Sequence, residues 1–149
     1  MGQVRADAQG PEAQQRAGPR GSEARPLSPH VSVWRWHITM AASILTRATG
    51  AALYGGAFIL AAWAVCLAMG PECYGACMRI LGSIPGKIVL FGLTVSLFYH
   101  LAAGLRHIGW DLGYAMTPKI SDMTAAAAIS FGLFAAIAVW AVAWYAGAL

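Results

Sequence analysis

Three long stretches without a charged side chain determine what this chain can fold into. They run from Ala48 to Met69, from Ile88 to Leu105 and from Met123 to Leu149. At about 1.5 Å of rise per helical residue, each approaches or exceeds the length needed to cross about 30 Å of hydrocarbon. Short connections join consecutive stretches, so neighbouring helices must run in opposite directions. The sequence therefore predicts an all-α membrane protein with three transmembrane helices in an antiparallel bundle.

The composition supports a membrane location. Hydrophobic residues make up 58% of the chain, charged residues only 11%, and the mean hydropathy is +0.58. A soluble domain carries about 25% charged residues, so this chain cannot cover itself with a polar surface. The ten Lys and Arg exceed the six Asp and Glu, but they do not cluster with aromatic residues on one polar element. Membrane topology explains this excess better than a nucleic-acid partner does.

Two segments precede the membrane domain. Residues 1–24 contain almost no large apolar side chain and are predicted to be a disordered tail without the apolar core of a secretory signal. Residues 25–38 combine two prolines with Trp34 and Trp36 among basic residues, which is typical of an interfacial segment. Residues 39–149 are predicted to form the anchor domain, with helices at about 39–69, 86–114 and 123–149.

The distribution of Lys and Arg predicts the orientation. The amino-terminal part carries six arginines, and the second loop adds Arg106 and Lys119, whereas the first loop has only Arg79 and Lys87. By the positive-inside rule, the amino terminus and the second loop face the cytoplasm, or the matrix in a mitochondrion. Because no clear transit peptide is recognisable, we expect a bacterial inner membrane.

One face of the second helix is chemically distinctive. At 100° per residue, His100, Gly104, His107 and Asp111 share this face. His100 lies inside the span, where a histidine is costly unless it is hydrogen-bonded to another helix or bound to a metal such as haem iron. His107 and Asp111 lie nearer the surface, where an interfacial histidine and a salt-bridged carboxylate are the alternatives to functional roles. A second haem ligand would have to come from another chain.

The start of the first helix carries a second polar group. Ser43 and Arg47 are one turn apart, and Trp36 precedes them. A hydroxyl, a guanidinium and an aromatic ring are suitable partners for a quinone head group. The alternative is an arginine that extends to the interface without binding a ligand.

The three cysteines allow no firm assignment. Cys66, Cys73 and Cys77 lie at the end of the first span and in the following loop. An odd number gives no disulfide framework, and a C-x-x-x-C spacing without further ligands is a weak metal motif. Small residues at a membrane boundary, or a Cys73–Cys77 link, remain the alternatives.

Three motifs resemble the cytochrome b subunit of succinate dehydrogenase, the membrane anchor of respiratory complex II. They occur in the family's order, and the resemblance extends from Arg25 to the carboxyl end. The motifs are Arg25-Pro26-Leu27-Ser28-Pro29-His30, Ser43-Ile44-Leu45-Thr46-Arg47-Ala48-Thr49-Gly50 and His100-x-x-x-Gly104-x-Arg106-His107-x-x-Trp110-Asp111-x-Gly113.

The resemblance implies specific roles for these residues. The family's axial haem ligand matches His100, and the quinone-site residues match Ser43, Arg47 and Trp36. His107 and Arg47 are candidate contacts of the haem propionates. Many members have a histidine where this chain has Thr46, which removes one propionate contact.

The resemblance also implies partners. The family pairs with a second small anchor subunit, shares one haem b with it, and docks an iron–sulfur subunit and a flavoprotein. Succinate is oxidised on the flavoprotein and ubiquinone is reduced beside the anchors, so this chain has no catalytic residue of its own. It also lacks a dinucleotide fingerprint. The alternatives are a non-haem structural anchor or assembly scaffold, and a small ion channel using His100, His107 and Asp111.

Overall fold

The structure is a computed structural model that describes residues 30–147. The predicted tail at residues 1–24 and the motif residues 25–29 lie outside this range. The chain divides into residues 1–35 and residues 36–149. In the first unit, the described backbone contains a 3-10 turn at His30–Val33.

The second unit contains four helices within its described part. These are α1 (Ile38–Met69), α2 (Pro71–Leu81), α3 (Ile84–Asp111) and α4 (Pro118–Tyr145). Only α1, α3 and α4 are long and apolar enough to cross a membrane. The three-span, all-α architecture predicted from the sequence is therefore confirmed. The short helix α2, which occupies the first loop, was not predicted.

Glycine and proline explain the helix ends. α1 stops at Gly70, whose φ of 103° suits a residue without a side chain, and Pro71 then begins α2. α3 begins behind Ser83, whose hydroxyl accepts a hydrogen bond from the Gly86 amide at 3.3 Å. Near its end, Gly113 has a φ of 82°. Helix α3 therefore ends earlier than residue 114, which is the end that the sequence predicted.

The predicted start of the last helix was too late. α4 begins at Pro118 rather than near residue 123, because proline at the first helical position has a suitable φ and needs no hydrogen-bond acceptor. The following turn contains Ser121 and Asp122, which face other helices instead of belonging to a loop. This earlier start carries polar side chains of α4 into the bundle.

Helix α3 is central because it makes the most extensive contacts with each of the other two spans. Its buried face contains Tyr99 and Ala103, which meet Ala128 of α4. α4 presents small residues to this contact, and small residues let helix backbones approach closely in a membrane. The buried small residues of α4 are Ala125, Ala128, Gly132 and Ala136. Most large apolar side chains point outwards, as a lipid-facing surface requires.

We predict that Gly132→Ala destabilises the bundle. A Cβ atom at this position would lie 2.7 Å from Cβ and 2.9 Å from Cα of Tyr99, and the latter is backbone that cannot move alone. Overpacking of this kind costs about 1–3 kcal/mol. Gly92→Ala is the matched control, because nothing lies within 4 Å of its added atom. Thermal unfolding in detergent should separate the two variants, and equal stabilities would contradict the packing.

Candidate functional site

A polar cavity of about 290 Å³ lies where the start of α1 meets the end of α3. It brings Ser43 and Arg47 together with His107, three residues that the sequence had singled out on two separate helices. It also includes residues that the sequence-based site assignment missed. The lining residues are Thr39, Ser43, Thr46, Arg47, Arg106, His107 and Trp110.

Helical periodicity explains why these side chains converge. On α1, Thr39, Ser43 and Arg47 are spaced by one turn, so they share a face. On α3, Arg106 and Trp110 are also one turn apart. The antiparallel packing of α1 on α3 then brings the two faces to one end of the bundle. The sequence shows that Arg106 and Trp110 are one turn apart. It does not show that they meet the polar face of α1.

Arg106 is held by several contacts. Its Nε donates to Thr124 Oγ1 at 3.0 Å, and its Nη2 donates to the carbonyl and hydroxyl oxygens of Ser121 at 3.0 and 2.9 Å. Its guanidinium carbon lies 3.9 Å from the centroid of the Trp110 ring. These contacts connect α3 to the first turns of α4. Arg106 is therefore a fixed positive charge at the cavity wall.

Ser43 and Arg47 differ from Arg106 in having unused hydrogen-bonding groups. Within residues 30–147, neither the Ser43 hydroxyl nor the Arg47 guanidinium has a hydrogen-bond partner. Both side chains are exposed, and both line the cavity. They can therefore donate to a ligand without breaking an existing contact.

Thr46 and Tyr99 connect α1 to α3. The Thr46 and Tyr99 hydroxyls lie 3.1 Å apart, and each donates to the Ala42 carbonyl oxygen, at 2.8 and 2.7 Å. Tyr99 is only 4% exposed. The Tyr99 hydroxyl therefore joins α3 to α1, whereas the proton of Thr46 is used within α1.

His100 is half-buried and bonded to α1. Its Nδ1 lies 3.2 Å from Thr49 Oγ1, and that hydroxyl donates to the Leu45 carbonyl oxygen at 2.7 Å. Because a hydroxyl has one proton, Thr49 must accept from the ring, which puts the ring proton on Nδ1. The Nε2 lone pair is then available to a metal. Gly50 makes room for the ring, since a Cβ atom there would lie 3.2 Å from His100 Cε1.

His107 is exposed and bonded within its own helix. Its Nδ1 lies 2.7 Å from the Ala103 carbonyl oxygen. A carbonyl oxygen only accepts, so Nδ1 donates and Nε2 is left as an acceptor. The ring also contacts Trp110 edge-on, with a centroid separation of 5.1 Å.

The surroundings of Asp111 and Trp36 differ from those considered in the sequence analysis. The Asp122 carboxylate lies against His37, with Oδ2 3.4 Å from Nε2, whereas Asp111 has no ion pair within the described part of the chain. The salt-bridged alternative for Asp111 is therefore not found among these residues. Trp36 is 62% exposed and does not line the cavity, so its quinone contact stays a prediction.

The three cysteines lie together at the opposite end of the bundle. The Cys73 thiol has a raised pKa because it hydrogen-bonds to Cys66 and is partly desolvated, and partial burial raises the pKa of Cys77. All three are free thiols. No cluster in residues 30–147 has the three or more His, Cys, Asp or Glu ligands of a metal site.

The fold and the polar cavity define a small multi-pass membrane protein with a ligand-sized polar site at one end of a three-span bundle. Residues 21–139 match the family described as the succinate dehydrogenase/fumarate reductase transmembrane subunit. The chain belongs to this family. It is thus a membrane subunit of an oxidoreductase complex of the inner membrane.

Individual relatives agree with the family match. The chain is 35% identical over 113 residues to the succinate dehydrogenase cytochrome b556 subunit of Paracoccus denitrificans, covering 76% of this chain and 87% of the relative. It is 33% identical over 116 residues to the same subunit of Rickettsia felis, with 78% and 90% covered. The mitochondrial cytochrome b560 subunit of Sus scrofa is 39% identical over 101 residues, with 66% and 60% covered.

We predict that Cys73 reacts slowly with iodoacetamide at about pH 8. The thiolate is the reacting form, so a raised pKa lowers its fraction at a given pH. Cys66→Ala removes the hydrogen bond to Cys73 and should speed its alkylation severalfold. Mass spectrometry of the alkylated chain measures both rates, with the unfolded chain as reference. A Cys73 that reacts as fast as in the unfolded chain would contradict the hydrogen bond.

Proposed function

We propose that this chain is a membrane-anchor subunit of succinate:ubiquinone oxidoreductase with two site functions. It contributes one axial ligand to a haem b shared with a second anchor subunit, and it forms part of the ubiquinone-reduction site. The observation that carries the proposal is the polar cavity, in which Ser43 and Arg47 have unused donors beside Arg106 and Trp110. Family membership supplies the context in which such a cavity serves electron transfer to a quinone.

His100 is the proposed axial ligand. The hydrogen bond from Nδ1 to Thr49 leaves the Nε2 lone pair free, and a bond of this kind orients a metal-bound imidazole and fixes its tautomer. A Cβ atom at Gly104, one turn away, would meet nothing within 4 Å, so the helix surface beside His100 is open to a flat ligand. The relatives are named cytochrome b556 and cytochrome b560 subunits, which supports haem b. When bound, haem b would supply a one-electron carrier inside the membrane.

A second protein ligand must come from outside this chain if the haem is six-coordinate. Within residues 30–147, the other histidines are His30 and His37, which precede α1, and His107, which lies near the end of α3. Arg47 and His107 line the polar cavity and are the proposed contacts of the haem propionates. Thr46 does not share this role, because its hydroxyl donates to the Ala42 carbonyl oxygen.

The proposed quinone contacts are Ser43, Arg47 and Trp36. The carbonyl oxygens of a quinone accept hydrogen bonds, and Ser43 and Arg47 are donors that no other described side chain uses. Arg106 adds a fixed positive charge to the same wall, which favours an oxygen atom that gains electron density. Trp36 would stack on the head group.

The remaining chemistry belongs to partner subunits. We propose that dicarboxylate oxidation takes place on a flavoprotein and that an iron–sulfur subunit delivers electrons to the anchor. The bias in Lys and Arg supports a cytoplasmic amino terminus in a bacterial inner membrane, with residues 25–38 at the interface.

A non-haem structural anchor is the second candidate. The three hydrogen bonds of Arg106 favour it, because they show that a charged residue near the cavity already has a structural partner. The two functions differ in whether the purified complex contains a b-type haem and reduces quinone.

We predict that His100→Leu removes or strongly perturbs the low-spin b-type signal in the reduced-minus-oxidised spectrum of the purified complex, because it removes an iron ligand. His107→Leu is the matched control on the same helix and should leave a low-spin signal. An unchanged spectrum in the His100 variant would exclude this residue as the ligand.

We predict that Arg47→Ala lowers quinone reduction by roughly 10- to 100-fold while succinate oxidation by an artificial dye stays near wild type. The reason is that the variant loses a charged donor to the quinone but leaves the flavoprotein untouched. Arg79→Ala, an exposed arginine on α2, is the control. Loss of both activities would indicate failed assembly instead of a quinone site.

A further inference from the structure

A line of polar contacts leads from α4 into the polar cavity. His37 Nε2 lies 3.4 Å from Asp122 Oδ2 on α4, and His37 Nδ1 lies 2.9 Å from Thr39 Oγ1. Thr39 itself lines the cavity. The side chain of His37 is 52% exposed. One end of this line therefore reaches water, and the other reaches the proposed quinone site.

Quinone reduction consumes protons, and few cavity residues can supply them. Arg106 is used in hydrogen bonds to α4, and Arg47 is proposed to bind the quinone. His107 Nδ1 already donates to the Ala103 carbonyl oxygen, and this residue is proposed to contact the haem propionates. The hydroxyls of Ser43 and Thr39 can pass a proton only if a neighbour replaces it. Of these two, Thr39 has a titratable neighbour.

We propose that His37 relays protons through the Thr39 hydroxyl to the quinone, with Asp122 as the positioning residue. This inference rests on the proposed quinone site. Imidazole has two nitrogen atoms that can each carry a proton, so one can stay directed at Asp122 while the other passes a proton to Thr39. His37 is the only residue in the line with this property.

The transfer balances in protons and electrons. In the protonated ring of His37, the Nε2 proton is directed at Asp122 and the Nδ1 proton at Thr39 Oγ1. The Nδ1 proton moves to Thr39 Oγ1 while the hydroxyl proton of Thr39 moves to a quinone oxygen, which leaves a neutral ring with its proton on Nε2. The half-exposed ring then takes one proton from water and returns to its starting state. Two such transfers, with two electrons delivered by the complex, convert the quinone to the quinol.

Asp122 determines the direction of the ring. Its Oδ2 faces Nε2 and thereby turns Nδ1 towards Thr39, while its Oδ1 is buried without a partner in the described residues. Asp122 itself interacts with the positive charge of Arg106 on α3. The ring thus has one nitrogen held by a carboxylate and the other directed at Thr39.

The test uses the assembled complex in native membranes. We expect His37→Ala and Thr39→Val to lower kcat for quinone reduction by at least about tenfold, with an unchanged quinone KM and unchanged succinate oxidation by dye. Added imidazole should restore the rate of the His37 variant but not of the Thr39 variant. Valine matches threonine in shape, so its effect isolates the hydroxyl, and Thr39→Ser should recover most of the rate. Glu72→Gln, which removes an exposed charge on α2, is the control.

Specific outcomes would overturn the relay. A wild-type kcat in the assembled Thr39→Val complex, a change confined to KM, or no imidazole rescue of His37→Ala each contradicts it. If Arg47→Ala abolishes quinone reduction while His37→Ala and Thr39→Val do not, the cavity binds quinone and the relay is wrong. If none of the three affects quinone reduction, the proposed quinone site is wrong as well.

Discussion

The arrangement of the three spans depends on one buried hydrogen-bonding group, the hydroxyl of Tyr99. A polar group in the hydrocarbon region must find a partner within the protein, and this hydroxyl finds the Ala42 carbonyl oxygen of α1 at 2.7 Å. The same residue packs its backbone against Gly132 of α4. Tyr99 therefore contacts both α1 and α4, so a single residue of α3 positions both neighbouring spans.

This arrangement holds polar side chains in defined positions at one end of the bundle. Close packing of small residues of α4 against Tyr99 brings the first turns of α4 beside the end of α3, where Ser121 and Thr124 bind Arg106. The polar cavity forms at this end, and its wall includes the charge fixed by those bonds. A site held by helix-to-helix hydrogen bonds stays ordered, and ordered dipoles and charges are what stabilise charge that develops on a bound ligand.

Hydrogen bonding separates two kinds of polar residue at this end. Arg106 and Tyr99 join helices through their hydrogen bonds, so their removal would affect the bundle first. Ser43 and Arg47 have no partner within residues 30–147 and line the same cavity. His37 is intermediate, because it is bonded on both sides and yet half exposed. The residues without partners are the ones proposed to contact a ligand, and the doubly bonded one is proposed to carry protons.

The amino-acid sequence by itself determined the three spans and the family, because hydrophobicity is a local property and the motif residues are spaced by helical turns. It also singled out His100, Ser43 and Arg47 by the cost of polar groups in lipid. Only the tertiary structure decided which polar residues meet. The contacts of Arg106 with Ser121 and of Tyr99 with Ala42 join different helices, and that of His37 with Asp122 joins the residue before α1 to α4, so all three depend on the rotation and depth of each helix. Those are set by packing across the bundle, which no stretch of sequence contains.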